Sequence, residues 1–219
     1  AEETVNRTIN WAKRCKKEFK KIYSKTPKSK RPYLLGVVQG GDYLDLRRYC
    51  AQELVKIGFD GFGYGGWPIK ADGKFNYEVA QTIADSTPKD YLLYGLGIGK
   101  PDEIAKLVKM GYHIFDCVLP TRDARHQRLY IYTAPTMNKI NLEEEKFYQY
   151  LVPTKQKYYS DTTPISTACD CLLCTNYSKS YLNHLFKVGD PTAKRLATIH
   201  NLRFYSLLME KLQANKKPD

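Results

Sequence analysis

The chain predicts an α/β protein: four parallel strand–helix units with the make-up of half a (β/α)8 barrel, followed by a small metal-binding subdomain. Three observations carry this expectation. Short apolar strands alternate with helical patterns from Tyr33 to Val118, the signature of parallel βαβ units. The chemically unusual residues Gln39, Gly65, Gly66, Gly97 and Asp116 all fall late in or just after those strands. A (β/α)8 barrel, or any open α/β sheet, places its site there. Finally, Cys169-x-Cys171-x2-Cys174 is followed after 25 residues by His200, a compact set of soft donors.

Taken in order, residues 3–23 predict an amphipathic helix with Val5, Ile9, Ala12, Cys15, Phe19 and Ile22 at spacings of three and four. Residues 24–31, with Pro27 and several lysines, read as a loop. The first strand, Tyr33–Val38, ends in Gln39-Gly40-Gly41, and a helix follows over Leu44–Ile57. The second strand, Phe59–Tyr64, ends in Gly65-Gly66-Trp67-Pro68. A helix near Tyr77–Asp85 leads to the third strand, Tyr91–Leu96, which ends in Gly97-Ile98-Gly99. The helix Pro101–Met110 opens with Pro and two acids, a sound start signal. The fourth strand, His113–Val118, comes next. Beyond Tyr130 the texture changes to a hairpin-like segment, a charged helix near Leu142–Leu151, the cysteine cluster, and a helix over about Pro191–Leu212.

The stretch from His113 to Tyr130, HIFDCVLPTRDARHQRLY, organises the rest. Asp116 is a lone carboxylate in an apolar strand, and burying an acid costs several kcal/mol unless it is paired or used. It predicts either a hydrogen-bonded structural aspartate or a nucleophile or general base. Arg122 and Arg125 follow at once in a turn suited to phosphate.

The net charge is +12, and eleven bases crowd the first 31 residues, from Arg7 to Arg31. That balance favours polyanionic partners, nucleic acid first, with a solvated helix face as the plain alternative. No apolar run approaches the roughly 18 residues of a membrane helix, and no signal peptide is visible. Of the six cysteines, the three clustered ones suit metal in a reducing, cytoplasmic setting rather than disulfides. Cys15, Cys50 and Cys117 sit in apolar contexts and are expected in the core. With His200 the cluster makes a closed set typical of structural zinc. His184, ten residues after Cys174, competes on spacing alone for the fourth place.

These features together resemble the tRNA-guanine transglycosylases, which exchange a guanine in tRNA for a 7-deazaguanine. The resemblance rests on the helix Arg7–Cys15 (RTINWAKRC), Gly36–Gly41 (GVVQGG), the Gly65-Gly66 pair, Phe115–Arg122 (FDCVLPTR) and the cysteine–histidine spacing. It covers nearly the whole chain but only the second part of the family's polypeptide. It implies the second half of a (β/α)8 TIM barrel over residues 1–135, with a structural zinc subdomain over 136–219. It further implies Asp116 as the nucleophile on ribose C1′ at the tRNA wobble position, and Gln39, Gly65 and Gly66 on the heterocycle, with Trp67 beside them. Arg122 and Arg125 would hold nucleic-acid phosphates, and Cys169, Cys171, Cys174 and His200 would hold Zn2+. A homodimer through the zinc part is likewise implied.

Departures from the family pattern bear on specificity. After Gly66 the family has small residues and a glutamate, where this chain has Trp67-Pro68-Ile69-Lys70-Ala71. His126-Gln127 replaces the usual Asn-Gly after Arg125. The family's first barrel half, with its general-base aspartate, has no counterpart here. The start at Ala1, without Met and inside a helical pattern, therefore predicts a fragment or one half of a split enzyme. Two further readings stand beside tRNA exchange. One is a relative inserting 7-deazaguanine into DNA; the other is a non-catalytic tRNA-binding partner subunit. A plain zinc-dependent nucleic-acid module fits the βα pattern less well.

Overall fold

Four short strands, β1 (Leu35–Val38), β2 (Gly61–Tyr64), β3 (Leu92–Gly95) and β4 (Ile114–Phe115), form one parallel sheet in the order β1-β2-β3-β4. The computed structural model describes residues 1–144 and 146–215. They fall into two units, residues 1–98 with 106–116 and residues 99–105 with 117–144 and 146–215. The sheet belongs to the first. Its register runs Leu35↔Gly61, Gly61↔Leu92 and Tyr94↔Ile114, and strand order follows chain order with no reversal.

In this unit α1 (Glu2–Ile22) packs on α2 (Leu44–Ile57), which packs on α3 (Tyr77–Asp85). α2 buries Arg47, Cys50, Ala51 and Leu54, one stripe at helical spacing. The core joins Cys50, Ala51 and Leu54 to Val38, Phe59, Phe62, Tyr64, Val79, Ile83, Leu93, Leu107 and Tyr112. Each large side chain fully buried there stabilises the fold by about 1.5–3 kcal/mol. Asn76 caps α3 by accepting from the Val79 N–H at 3.2 Å, and its amide donates to Asp42 at 2.8 Å.

The first helix corrects one expectation. Val5 and Ile9 are buried and Ala12 and Phe19 half-buried, but Cys15 and Ile22 are exposed. The inward stripe runs Val5, Ile9, Ala12, Lys16, Phe19, Tyr23, so Cys15 and Ile22 lie about 100° off it. Lys16 fills the stripe by laying its stem inward, with Nζ 5.6 Å from the Phe59 ring centre. Cys50 is core as expected, and Cys117 is half-buried.

The second unit is built on α8 (Pro191–Ala214), capped by Asp190, which accepts from the Thr192 N–H at 2.7 Å. Against it pack α5 (Leu119–Arg125), α6 (Leu172–Asn176), α7 (Lys179–Val188) and the strand β5 (Leu129–Tyr132). α4 (Pro101–Lys109) begins in this unit and ends in the first. β5 pairs antiparallel with β6 (Tyr148–Leu151).

That pairing overturns the charged helix expected over Leu142–Leu151, whose Glu145 lies outside the described residues. Tyr148–Leu151 is rich in aromatic residues, and cross-strand pairs Tyr130↔Tyr150 and Tyr132↔Tyr148 outweigh the helical propensity of the acidic stretch before it. Tyr132 stacks on Phe204 of α8 with ring centres 4.2 Å apart, sealing the hairpin onto the helix.

Candidate functional site

The fourth strand is shorter and wetter than its sequence suggests. Only Ile114 and Phe115 pair, with β3 alone, and Asp116 is exposed rather than buried. With Asp116 exposed in this chain, the desolvation argument does not apply to it here. Hydrogen bonds take its place. The Tyr94 hydroxyl and the Gly97 N–H both donate to Asp116 Oδ1, at 2.8 and 2.9 Å. Oδ2 receives no hydrogen bond among the described residues. Gly97 has φ +68°, a left-handed turn that aims its N–H back at the carboxylate and favours glycine. The same contact raises the Tyr94 phenol pKa above its ordinary value, because the hydroxyl keeps its proton to donate a hydrogen bond to the Asp116 carboxylate.

Three of the predicted base-contacting residues meet at the ends of β1 and β2. Gln39 is half-buried, and its N–H donates to the Cys50 Sγ at 3.4 Å. Its side chain lies against Gly65. A Cβ on Gly65 would come within 2.7 Å of Gln39 Cδ and 2.5 Å of the Val38 carbonyl. Glycine is therefore required there for the close approach of the two strand ends. Gly66 is exposed, and Trp67 is 80% exposed beyond it. The chain then turns through Lys70–Lys74, closed by an Ile69↔Phe75 bridge.

Sequence reasoning overlooked Arg47, which sits behind this pair of loops and is 2% exposed. The available signal was its place on the apolar stripe of α2, where a cation needs an explanation. Tyr94 was overlooked too, since nothing in the sequence ties a strand tyrosine to an acid 22 residues on.

In the second unit, Arg122 and Arg125 are exposed on α5, a seven-residue helix where a turn was expected. Between them Asp123 is buried, accepting from Arg128 Nε and Nη2 at 3.1 and 2.8 Å and from the Tyr130 hydroxyl at 2.5 Å. Burial opposes ionisation of Asp123, but those donors win and hold its carboxyl below the usual range. The two arginines are thus carried on a helix pinned from beneath. Gln127, just after it, has φ +60°, and its side-chain oxygen accepts from the Thr154 hydroxyl at 3.0 Å.

The four predicted metal ligands converge. One donor atom from each of Cys169, Cys171, Cys174 and His200 lies within 4.8 Å of the others, and all four are buried. His200 Nδ1 is 3.2 Å from Cys174 Sγ and 3.5 Å from Cys171 Sγ. Its Nε2 is 2.8 Å from the Tyr130 carbonyl, which can only accept, so the ring proton sits on Nε2 and Nδ1 faces the sulfurs as a lone-pair donor. His184 is exposed and takes no part in this cluster. Contact with Cys169 and Cys174 drives the Cys171 thiol well below its ordinary value, against the effect of burial. Three sulfurs and one imidazole at these separations fit a single tetrahedral cation. Arg203 steadies the loop, donating through Nε and Nη2 to Asp170 at 2.6 and 2.9 Å.

Comparison with known proteins gives the family. A family model described as queuine tRNA-ribosyltransferase matches residues 1–216. Curated relatives of that name include one from Shewanella sp. (strain W3-18-1), 37% identical over 213 residues, covering 97% of this chain and 51% of the relative. Others are from Aliivibrio fischeri (strain MJ11), 36% identical over 216 residues and covering 99% and 52%, and Mannheimia succiniciproducens, 34% identical over 219 residues and covering 100% and 52%. The chain spans about half the length of the curated relatives it matches. No described helix is long and apolar enough to cross a membrane. With the family model matching all but the last three residues, the chain belongs to the queuine tRNA-ribosyltransferase family.

Proposed function

We propose that this chain is the nucleophile-bearing portion of a base-exchange glycosyltransferase acting on tRNA. The observation that carries this reading is the Asp116 carboxylate, with Oδ1 held by Tyr94 and Gly97 and Oδ2 unengaged. Oδ2 attacks C1′ of the target ribose, and the C1′–N9 bond breaks with its electron pair leaving on guanine. A covalent ribosyl–enzyme results. The departing guanine takes up a proton at N9; the incoming 7-deazaguanine gives its ring N–H proton to solvent as that nitrogen attacks C1′, and the C1′–Oδ2 electron pair returns to Asp116. Two displacements give net retention, the logic of retaining glycosidases.

Gln39, Gly65, Gly66 and Trp67 are assigned to the heterocycle, and the meeting of the first three at the strand ends of the same sheet supports this. The target base leaves its stack to reach them. Arg122 and Arg125 are assigned to phosphates, as exposed forks on a pinned helix. Cys169, Cys171, Cys174 and His200 are assigned to Zn2+, whose role is structural because four protein ligands leave no open position.

The consecutive strand order supports residues 1–135 as part of a (β/α)8 barrel, with 136–219 as the zinc-bearing part. The remaining strands would come from a longer polypeptide or a second chain, and the assembly would be a homodimer. The test combines the chain with that remaining sequence and follows labelled guanine into tRNA and into duplex DNA. Exchange into tRNA, with an adduct surviving denaturation that Asp116→Asn abolishes, is the expected result. An adduct that persists in Asp116→Asn would falsify the nucleophile assignment, and exchange into DNA alone would overturn the choice of substrate.

A further inference from the structure

Arg47 makes no close ion pair among the described residues, although it is buried, and the Asp42 charge acts on it only at longer range. Its Nε donates to the Gly41 carbonyl at 2.8 Å, and its Nη1 to the carbonyls of Val38 at 2.5 Å and Gly65 at 2.8 Å. The guanidinium carbon lies 5.1 Å from the Tyr64 ring centre. Val38 O also accepts from the Gly65 N–H at 3.0 Å, so one guanidinium and one strand-end carbonyl knit the β1 and β2 ends together. Burying a cation against neutral carbonyls is a poor source of stability compared with apolar packing. It is a good source of geometry, because the planar fork fixes several acceptors at once.

The consequence lies in the Gly65–Gly66 peptide. A trans peptide points its C=O and N–H in opposite directions. With Gly65 C=O turned inward to Arg47, the Gly66 N–H is turned outward, and it has no partner among the described residues. It is an oriented free donor next to the Gln39 side chain. A Cβ built on Gly66 would lie 3.6 Å from Gln39 Oε1 and 3.9 Å from Arg47 Nη2.

We infer that Arg47 is a positioning residue for base recognition: it fixes the outward orientation of the Gly66 N–H beside Gln39, within the heterocycle site already assigned above. This rests on the base-exchange reading above. The test uses the chain with its remaining barrel sequence and measures KM for guanine and for tRNA separately in Arg47→Met and Arg47→Lys. Loss of the oriented donor raises KM for guanine about tenfold in Arg47→Met, on the scale of one net hydrogen bond, with KM for tRNA within about twofold. Arg47→Lys, which keeps charge and donors without the fork, falls between. If Arg47→Met does not fold, Arg47→Lys decides by the same criterion. A folded variant with an unchanged KM for guanine, or with both KM values rising together, overturns the inference and leaves the base-exchange reading intact. No exchange by the wild-type assembly overturns both.

Discussion

His200 Nε2 donates to the carbonyl of Tyr130 at 2.8 Å, and the neighbouring Asn201 accepts from the Tyr130 N–H at 3.1 Å. Two consecutive residues of α8 therefore hold both faces of one residue of β5. The bond on Nε2 leaves Nδ1 facing the cysteine sulfurs, so the hairpin, the long helix and the cysteine loop are coupled through a single imidazole.

Metal retention should separate the two histidines. His200→Ala removes a ligand and the hairpin contact together. Metal affinity should fall by upwards of about 100-fold, since losing even a residue behind a ligand costs about 10–100-fold. His184→Ala should bind zinc as the parent does. Zinc content after dialysis against a graded chelator series reads this directly, and loss of metal in the His184 variant instead would reverse the ligand assignment.

Asn201 is fully buried, and its amide nitrogen donates to the carbonyls of Pro120 and Arg128, both at 3.0 Å. Asn201→Ala strands these two acceptors and the Tyr130 N–H in the interior. The expected cost is about 2–4 kcal/mol in denaturant unfolding. A loss under about 0.5 kcal/mol would mean water or rearrangement replaces the network at no cost.

Tyr94→Phe removes one of the two donors on Asp116 Oδ1 without disturbing the sheet. Adduct formation by the assembled enzyme should slow by about 3–30-fold, the effect of a less well-oriented nucleophile, while zinc content stays the same. Rates equal to the parent would show that the Gly97 N–H alone suffices.

Asp60 should make the first unit acid-sensitive. Arg31 donates to its two oxygens at 2.7 and 2.8 Å, the Leu34 N–H adds a third bond, and the Arg31 contact holds its carboxyl below the usual value. A depressed folded pKa stabilises above the unfolded value, about 4, and that stabilisation is lost as pH falls through the folded one. Asp60→Asn should therefore melt a few degrees lower than the parent at pH 7. The gap should close as the pH is taken below about 4. Parallel melting curves at every pH would rule out Asp60 as the sensitive group.

Much of the protein was determined by sequence alone. Strand–helix alternation, the helices Leu44–Ile57 and Tyr77–Asp85, the placement of Gln39, Gly65 and Asp116 at strand ends, and the cysteine triplet follow from local periods and spacings. These are short-range properties, readable within about 20 residues.

Tertiary structure decided what depends on distant packing. It chose His200 over His184, because α8 carries His200 across 26 residues into the cysteine loop while α7 leaves His184 exposed. It turned Tyr148–Leu151 into a strand, because the partner that rewards extension, Leu129–Tyr132, lies more than 15 residues away. It left Asp116 exposed, because among the described residues β4 bonds to β3 alone. And it gave Arg47 its acceptors, three carbonyls on two loops that no single local window of sequence brings together.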